Sequence, residues 1–91
     1  MVSLFILLIL GNNAYADNFQ FSVGTVYAAF AQVEVLSNGK PVFTGLTDKL
    51  GRITITLGNG AYTCNVKYGN TQKSAQINID GANMLKPVEL K

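Results

Sequence analysis

Polar and apolar residues alternate along much of the chain with a period of two. The alternation is clear in FQFSV, QVEV, RITITL, YTCNVKY and QINID, which are residues 19–23, 32–35, 52–57, 62–68 and 76–80. This period places successive side chains on opposite faces of a strand, so each segment predicts a β-strand with one buried face. No segment sustains the i, i+3, i+4, i+7 spacing of an amphipathic helix. The pattern therefore predicts an all-β protein.

Short strands that recur at this spacing are typical of a small β-sandwich or barrel. We predict seven strands, near residues 19–27, 31–37, 41–47, 52–57, 61–68, 72–79 and 86–90. The residues predicted to face the core are Val33, Val35, Ile53, Ile55, Leu57, Tyr62, Cys64, Val66, Ile77 and Ile79. Each of these aliphatic side chains would stabilise the fold by about 1.5–3 kcal/mol on full burial.

Two turn sequences separate the predicted strands in the first half of the chain. Asn38 and Gly39 form the Asn-Gly pair that a two-residue hairpin needs, because both central residues of that turn take positive φ. In TDKLGR, Asp48 stands at the start of a type I turn and Gly51 stands where a left-handed residue closes it. We assign all four residues structural roles.

The glycine-rich segment LGNGAY has the spacing of a tyrosine corner, in which a tyrosine hydroxyl bonds to the backbone a few residues upstream. We predict that the Tyr62 hydroxyl bonds to the backbone at or near Gly58, while Gly58 and Gly60 allow the chain to cross between sheets. A phosphate-binding loop is excluded, since no helix follows the glycines.

The amino-terminal residues resemble a secretory signal peptide. An apolar run from Leu4 to Leu10 precedes Ala14-Tyr15-Ala16, which has the A-x-A form of a cleavage site. We predict a signal peptide over residues 1–16 and a single domain over residues 17–91, in a protein that is secreted, periplasmic or at the cell surface. The apolar run is too short for a permanent membrane span. The alternative is that Leu4–Leu10 is a buried first strand.

Charge and residue composition narrow the function further. The 91-residue chain has seven basic and five acidic residues, a net charge of +2 and no histidine. Its charges are scattered, which excludes the basic stripe that nucleic-acid binding requires. Cys64 is the sole cysteine, so neither an internal disulfide nor a Cys/His zinc site can form.

The carboxylates do not suggest catalysis. Asp48 and Asp80 lie in turn sequences where their oxygens would bind backbone N–H groups, and Glu34 lies on the exposed face of a predicted strand. No D-x-D-x-D loop is present for calcium. We therefore expect a non-enzyme that uses no metal or cofactor.

Residues 24–69 resemble the carboxypeptidase regulatory-like domain family, which shares the prealbumin-like sandwich with transthyretin and the Cna B-type repeats. The resemblance rests on GTV at 24–26, AQVEV at 31–35, GKPVFTGLTDKLGRITITL at 39–57 and NGAYTCNVKYG at 59–69. It implies a small Greek-key β-sandwich. It implies no hydrolase activity, because the transthyretin-related hydrolases depend on histidines.

Two functions remain open at this stage. The resemblance implies an exported, non-catalytic domain with a structural, adhesion or carbohydrate-contact role and a protein or glycan partner. Exposed aromatic rings would serve such contacts, and the candidates are Tyr27, Phe30, Phe43 and Tyr68. The alternative is a subunit of an extracellular or periplasmic assembly, a homo-oligomer included, in which residues 19–30 add as a strand to a neighbour's sheet.

Overall fold

The computed structural model describes residues 14–91, which form eight strands and no helix. The strands are β1 (Ala14–Val23), β2 (Val26–Tyr27), β3 (Gln32–Ser37), β4 (Lys40–Leu46), β5 (Arg52–Gly58), β6 (Gly60–Tyr68), β7 (Thr71–Ile79) and β8 (Leu85–Leu90). The predicted all-β sandwich is confirmed. The predicted strand over residues 19–27 is wrong in two respects: β1 begins earlier, at Ala14, and the chain turns at Gly24, whose φ is 62°, so that a separate strand β2 follows.

The strands form two sheets of four strands each. In the first sheet, β1 lies at the centre, antiparallel to β2 and β5 on one side and parallel to β8 on the other. The second sheet is antiparallel throughout, in the order β4-β3-β6-β7. Among the described residues, no helix is long and apolar enough to cross a membrane.

The core lies between the two sheets. The fully buried residues include Phe19 and Phe21 of β1, whose ring centroids are 6.3 Å apart. Of the ten residues predicted to face inward, Val33, Val35, Ile55, Cys64, Val66, Ile77 and Ile79 are buried, and Ile53, Leu57 and Tyr62 pack against them partly buried. Burial raises the pKa of the Cys64 thiol to about 11, so this cysteine is unreactive in the folded protein.

The predicted signal peptide falls only partly within the described residues. The apolar run Leu4–Leu10 lies outside them, whereas Ala14–Ala16 begin β1 and pair with Thr56–Gly58 of β5. A peptidase binds its substrate as an unpaired extended chain, so the predicted cleavage after Ala16 would have to precede the formation of this part of β1.

The pairing of β1 also bears on strand addition through residues 19–30. Asn18–Gln20 pair with β5 on one side and β8 on the other, and Ser22 and Val23 pair with β2 and β8. This part of β1 therefore has no free edge. Donating it to another molecule would require these pairs to break first.

A buried ion pair connects the first strand to the last. Asp17 of β1 is fully buried, and one of its oxygens accepts hydrogen bonds from Lys86 Nζ of β8 and from the backbone N–H of Asp80, both at 2.9 Å. Lys86 Nζ also donates to Asp80 Oδ1 at 2.7 Å and lies 5.6 Å from the centre of the Phe19 ring. We call Asp17, Asp80 and Lys86 the clamp.

The contacts within the clamp shift the pKa values of Asp80 and Lys86. The hydrogen bond from Lys86, followed by the one from the Ala82 N–H, holds the pKa of Asp80 below its ordinary value of 3.8. Hydrogen bonds to Asp80 and then Asp17 raise the pKa of Lys86 above 10.5. Asp80 therefore stabilises the fold at pH values above its pKa in the unfolded chain, and this stabilisation is lost as the pH falls through its pKa in the folded protein. The stabilisation from Lys86 is lost as the pH rises through the raised pKa of its ammonium group.

Removing one partner of the clamp should destabilise the fold more than removing both. Lys86→Met leaves the Asp17 carboxylate buried without its cation, so we expect the free energy of unfolding to fall by roughly 3–5 kcal/mol. Adding Asp17→Asn removes the buried charge, so the double variant should be more stable than Lys86→Met alone. Urea denaturation measures both effects.

The control is Lys91→Met, which breaks the exposed pair of Lys91 and Glu89 at 3.8 Å. This change should alter the free energy of unfolding by less than about 0.5 kcal/mol. A double variant no more stable than Lys86→Met would show that the buried charge on Asp17 does not govern the effect.

The tyrosine corner is present. The Tyr62 hydroxyl donates to the Gly58 carbonyl at 2.7 Å, as the sequence predicts. Gly58 ends β5 in the first sheet, and Gly60, whose φ is 148°, begins β6 in the second. The bond therefore fastens the crossing of the chain between the two sheets.

Tyr62→Phe should lower the free energy of unfolding by about 0.5–1.5 kcal/mol, the net contribution of one hydrogen bond. Tyr68→Phe is the matched control, since Tyr68 is also partly buried but its hydroxyl makes no hydrogen bond within residues 14–91. Equal midpoints of urea denaturation for the two variants would contradict a stabilising corner.

Candidate functional site

Exposed apolar side chains gather at one end of the sandwich, where the loop of residues 24–31 meets the turn of residues 47–51. The two segments are joined by a hydrogen bond from the Phe30 N–H to the Asp48 carbonyl at 3.2 Å. Four large apolar residues in or beside these segments are exposed, namely Val26, Tyr27, Phe30 and Leu46. We call these four residues the contact end.

Thr47 fixes the conformation of the loop beneath the contact end. Its side chain is buried, and its hydroxyl donates to the Ala28 carbonyl at 2.6 Å and accepts from the Ala31 N–H at 2.8 Å. The backbone N–H of Thr47 donates to the Ala31 carbonyl at 3.0 Å. Because one residue satisfies three backbone groups of the buried Ala28 and Ala31, the loop has little freedom to rearrange.

Phe30 has the most unusual conformation in this loop. Its φ is 53°, in the left-handed region, and its side chain is 70% exposed. A non-glycine residue in this region costs about 1–3 kcal/mol, and strain of this kind concentrates at binding sites. Burial of the ring does not offset the cost, since the ring faces solvent. The fold thus holds an aromatic ring outward at some expense of stability.

The turn beside the contact end has the form that the sequence predicts. Asp48 Oδ1 accepts from the backbone N–H groups of Leu50 and Arg52 at 2.8 and 2.9 Å. The hydrogen bond from the Arg52 N–H has the largest effect on the Asp48 carboxylate and holds its pKa below the ordinary value. Gly51 has a φ of 74°, and a Cβ there would lie 2.5 Å from the Phe21 carbonyl oxygen. Both residues therefore shape the turn.

The other residues that the sequence predicts for ligand contact or turns differ in their exposure to solvent. Tyr27 is 49% exposed, so it joins Phe30 at the contact end. Phe43 and Tyr68 are partly buried and pack against the core, so they are poorer candidates for ligand contact. Asn38 and Gly39, with φ of 53° and 79°, form the predicted hairpin tip between β3 and β4.

An open groove of about 690 Å³ begins at the contact end. Leu46 and Asp48 line it there, and it extends past Asn18 and Thr54 to the exposed Leu85. Thr54 donates to the Asn18 side-chain oxygen at 2.6 Å, which leaves the Asn18 amide hydrogens free for another acceptor. Both apolar and polar side chains therefore line the groove.

Within residues 14–91 there is no group of three or more His, Cys, Asp or Glu side chains that could hold a metal ion. The clamp does contain a lysine beside two carboxylates, but hydrogen bonds among these groups and to the backbone account for the ammonium of Lys86. The side chains at the contact end and along its groove are aromatic, apolar, amide and charged groups.

The chain matches no protein-family model and no curated protein sequence. The likeness to the carboxypeptidase regulatory-like family therefore rests on the sequence motifs alone.

Two structural features escaped the sequence analysis. Thr47 carries no pattern that distinguishes it from other strand-end threonines, and its role depends on a loop 16 residues away in sequence. Lys86 and Asp17 are 69 residues apart, so their pairing follows from the parallel alignment of β1 and β8. The first predicted strand begins at residue 19, so Asp17 lies outside the predicted strands and has no predicted role.

Proposed function

We propose that this chain is an exported, non-catalytic β-sandwich domain that contacts a carbohydrate or protein through the contact end, in an adhesion role. The observation that carries the proposal is the exposed, left-handed Phe30. Glycine would take this conformation without strain, so the turn by itself does not require a phenylalanine. A ring that touches a partner explains why an aromatic residue stands here.

The surroundings of Phe30 support this proposal. Tyr27 and Leu46 add exposed apolar surface, and the groove beside them supplies the Asn18 amide and the Asp48–Arg52 pair, which lie 3.4 Å apart. Sugars present apolar ring faces flanked by hydroxyl groups, so a flat aromatic ring beside amide, carboxylate and guanidinium groups suits them. Apolar and polar groups are likewise mixed in this way at protein interfaces.

Export supports a contact role at a cell surface or in a secreted or periplasmic protein. We predict that the exported chain begins at Asp17, because Ala14 and Ala16 meet the small-residue requirement of signal peptidase. Amino-terminal sequencing of the protein recovered from an exporting host tests this. Exported material that retains Ala14–Ala16, or retention in the cytoplasm, would contradict the prediction.

Binding through the contact end can be tested on an array of immobilised oligosaccharides. We expect the exported protein to bind a subset of glycans and Phe30→Ala to weaken that binding roughly tenfold or more, as for a central interface aromatic. The matched control is Met84→Ala, which truncates a similarly exposed side chain (64%) outside the contact end. The control should bind as the parent protein does.

Two results would count against this proposal. Equal binding by Phe30→Ala and the parent protein would remove Phe30 from the contact surface. Failure of the parent protein to bind any glycan would exclude the carbohydrate form of the proposal.

A further inference from the structure

The outer edge of β7 carries unpaired backbone groups. β6 and β7 are joined by the two-residue turn Gly69-Asn70, with Gly69 at a φ of 61°, and Tyr68 pairs with Thr71 directly across it. In such a hairpin the residues flanking the turn exchange hydrogen bonds, and the bonded pairs then alternate along the ladder. The backbone of Thr71, Lys73 and Ala75 thus faces β6.

The backbone of the alternate residues, Gln72, Ser74, Gln76 and Asn78, therefore faces away from the sheet. One observation supports this direction independently: the Asn78 carbonyl accepts a hydrogen bond from Lys86 Nζ of the other sheet at 2.9 Å. Gln72, Ser74 and Gln76 make no backbone bond on that side within the described residues. Their N–H and C=O groups form a template for one more strand.

Two of the other edge strands carry features that block strand addition, and the edge strand β5 is shorter, at seven residues. β4 contains Pro41 opposite a register shift between Val35 and Leu36, and β8 contains Pro87. Proline removes a donor, and a bulge disturbs the spacing that an added strand needs. β7 runs for nine residues with a continuous register and no proline.

We propose that β7 pairs antiparallel with β7 of a second copy of this chain, with the two-fold axis at Ser74. In this register Ser74 lies opposite the partner's Ser74, and Gln72 lies opposite the partner's Gln76. All three outward-facing residues are then matched, each pair exchanging two backbone hydrogen bonds. The isologous edge is self-complementary, which is the condition for a closed dimer.

The side chains are compatible with the same register. Lys73 is the sole charged residue of β7, and it falls opposite the uncharged Ala75 of the partner, so no like charges oppose each other. On the outer face, Ser74 and Gln76 already bond to Asn65 and Thr63 of β6, at 2.7 and 2.9 Å. Dimerisation would extend this neutral polar face across the axis. A strand from a different protein would lack this two-fold symmetric pairing.

Single cysteines test the register in the full-length exported protein. Across the proposed axis the two Cα atoms of residue 74 are about 5.5 Å apart, within reach of a disulfide, whereas those of residue 76 are offset by about 13 Å along the strands. Ser74→Cys should therefore form a covalent dimer on mild oxidation, and Gln76→Cys should not. The native Cys64 is buried and does not compete.

Light scattering after size exclusion supplies a second measurement. We expect the parent protein to show a dimer mass that falls on dilution, and Ser74→Pro to raise the dimer dissociation constant at least tenfold, because proline removes the central outward donor. Ser74→Ala keeps that donor and should dimerise normally, and circular dichroism verifies folding. A monomer at every concentration, or crosslinking that does not distinguish residue 74 from residue 76, would overturn the proposal. These measurements do not involve the contact end.

Discussion

β1 provides the hydrogen-bonding partner of every other strand in the first sheet, because β2, β5 and β8 each pair with β1. It also contributes Phe19 and Phe21, two of the largest buried side chains. The chain has a single cysteine, so no internal disulfide can secure this arrangement. The buried pair of Asp17 and Lys86 fixes the alignment of the strands instead, because it can form only when β1 and β8 lie parallel in one register.

The other end of β1 determines where the contact end lies. The Phe21 N–H donates to the Gly51 carbonyl and its carbonyl accepts from the Ala28 N–H, both at 2.9 Å, so β1 holds the turn and the loop together. Thr47 then fixes that loop through its bonds to Ala28 and Ala31, and the left-handed Phe30 lies between these two residues in the chain. The exposed ring is thus a consequence of the core packing several residues away.

Local sequence patterns were sufficient for much of this structure. The period-two alternation located the strands, Asn-Gly located a hairpin, and the spacing of Gly58 and Tyr62 located the crossing between sheets. The division of the first predicted strand at Gly24 was missed, although the alternation does break there, since Thr25 is polar where a continuous strand would place an apolar residue. Tyr27 and Phe30 were candidates on composition alone. Neither the strain at Phe30 nor the Asp17–Lys86 pair has a local signal, since each depends on segments distant in sequence.

The central claim is that the fold holds Phe30 in a strained, left-handed conformation with its ring exposed to solvent. Comparing the free energies of unfolding of Phe30→Gly and Phe30→Ala tests this directly, since both remove the ring and only glycine relieves the strain. We predict that Phe30→Gly is more stable than Phe30→Ala by about 1 kcal/mol. Equal stability, or greater stability of Phe30→Ala, would show that residue 30 is not held in the left-handed region and would contradict the account.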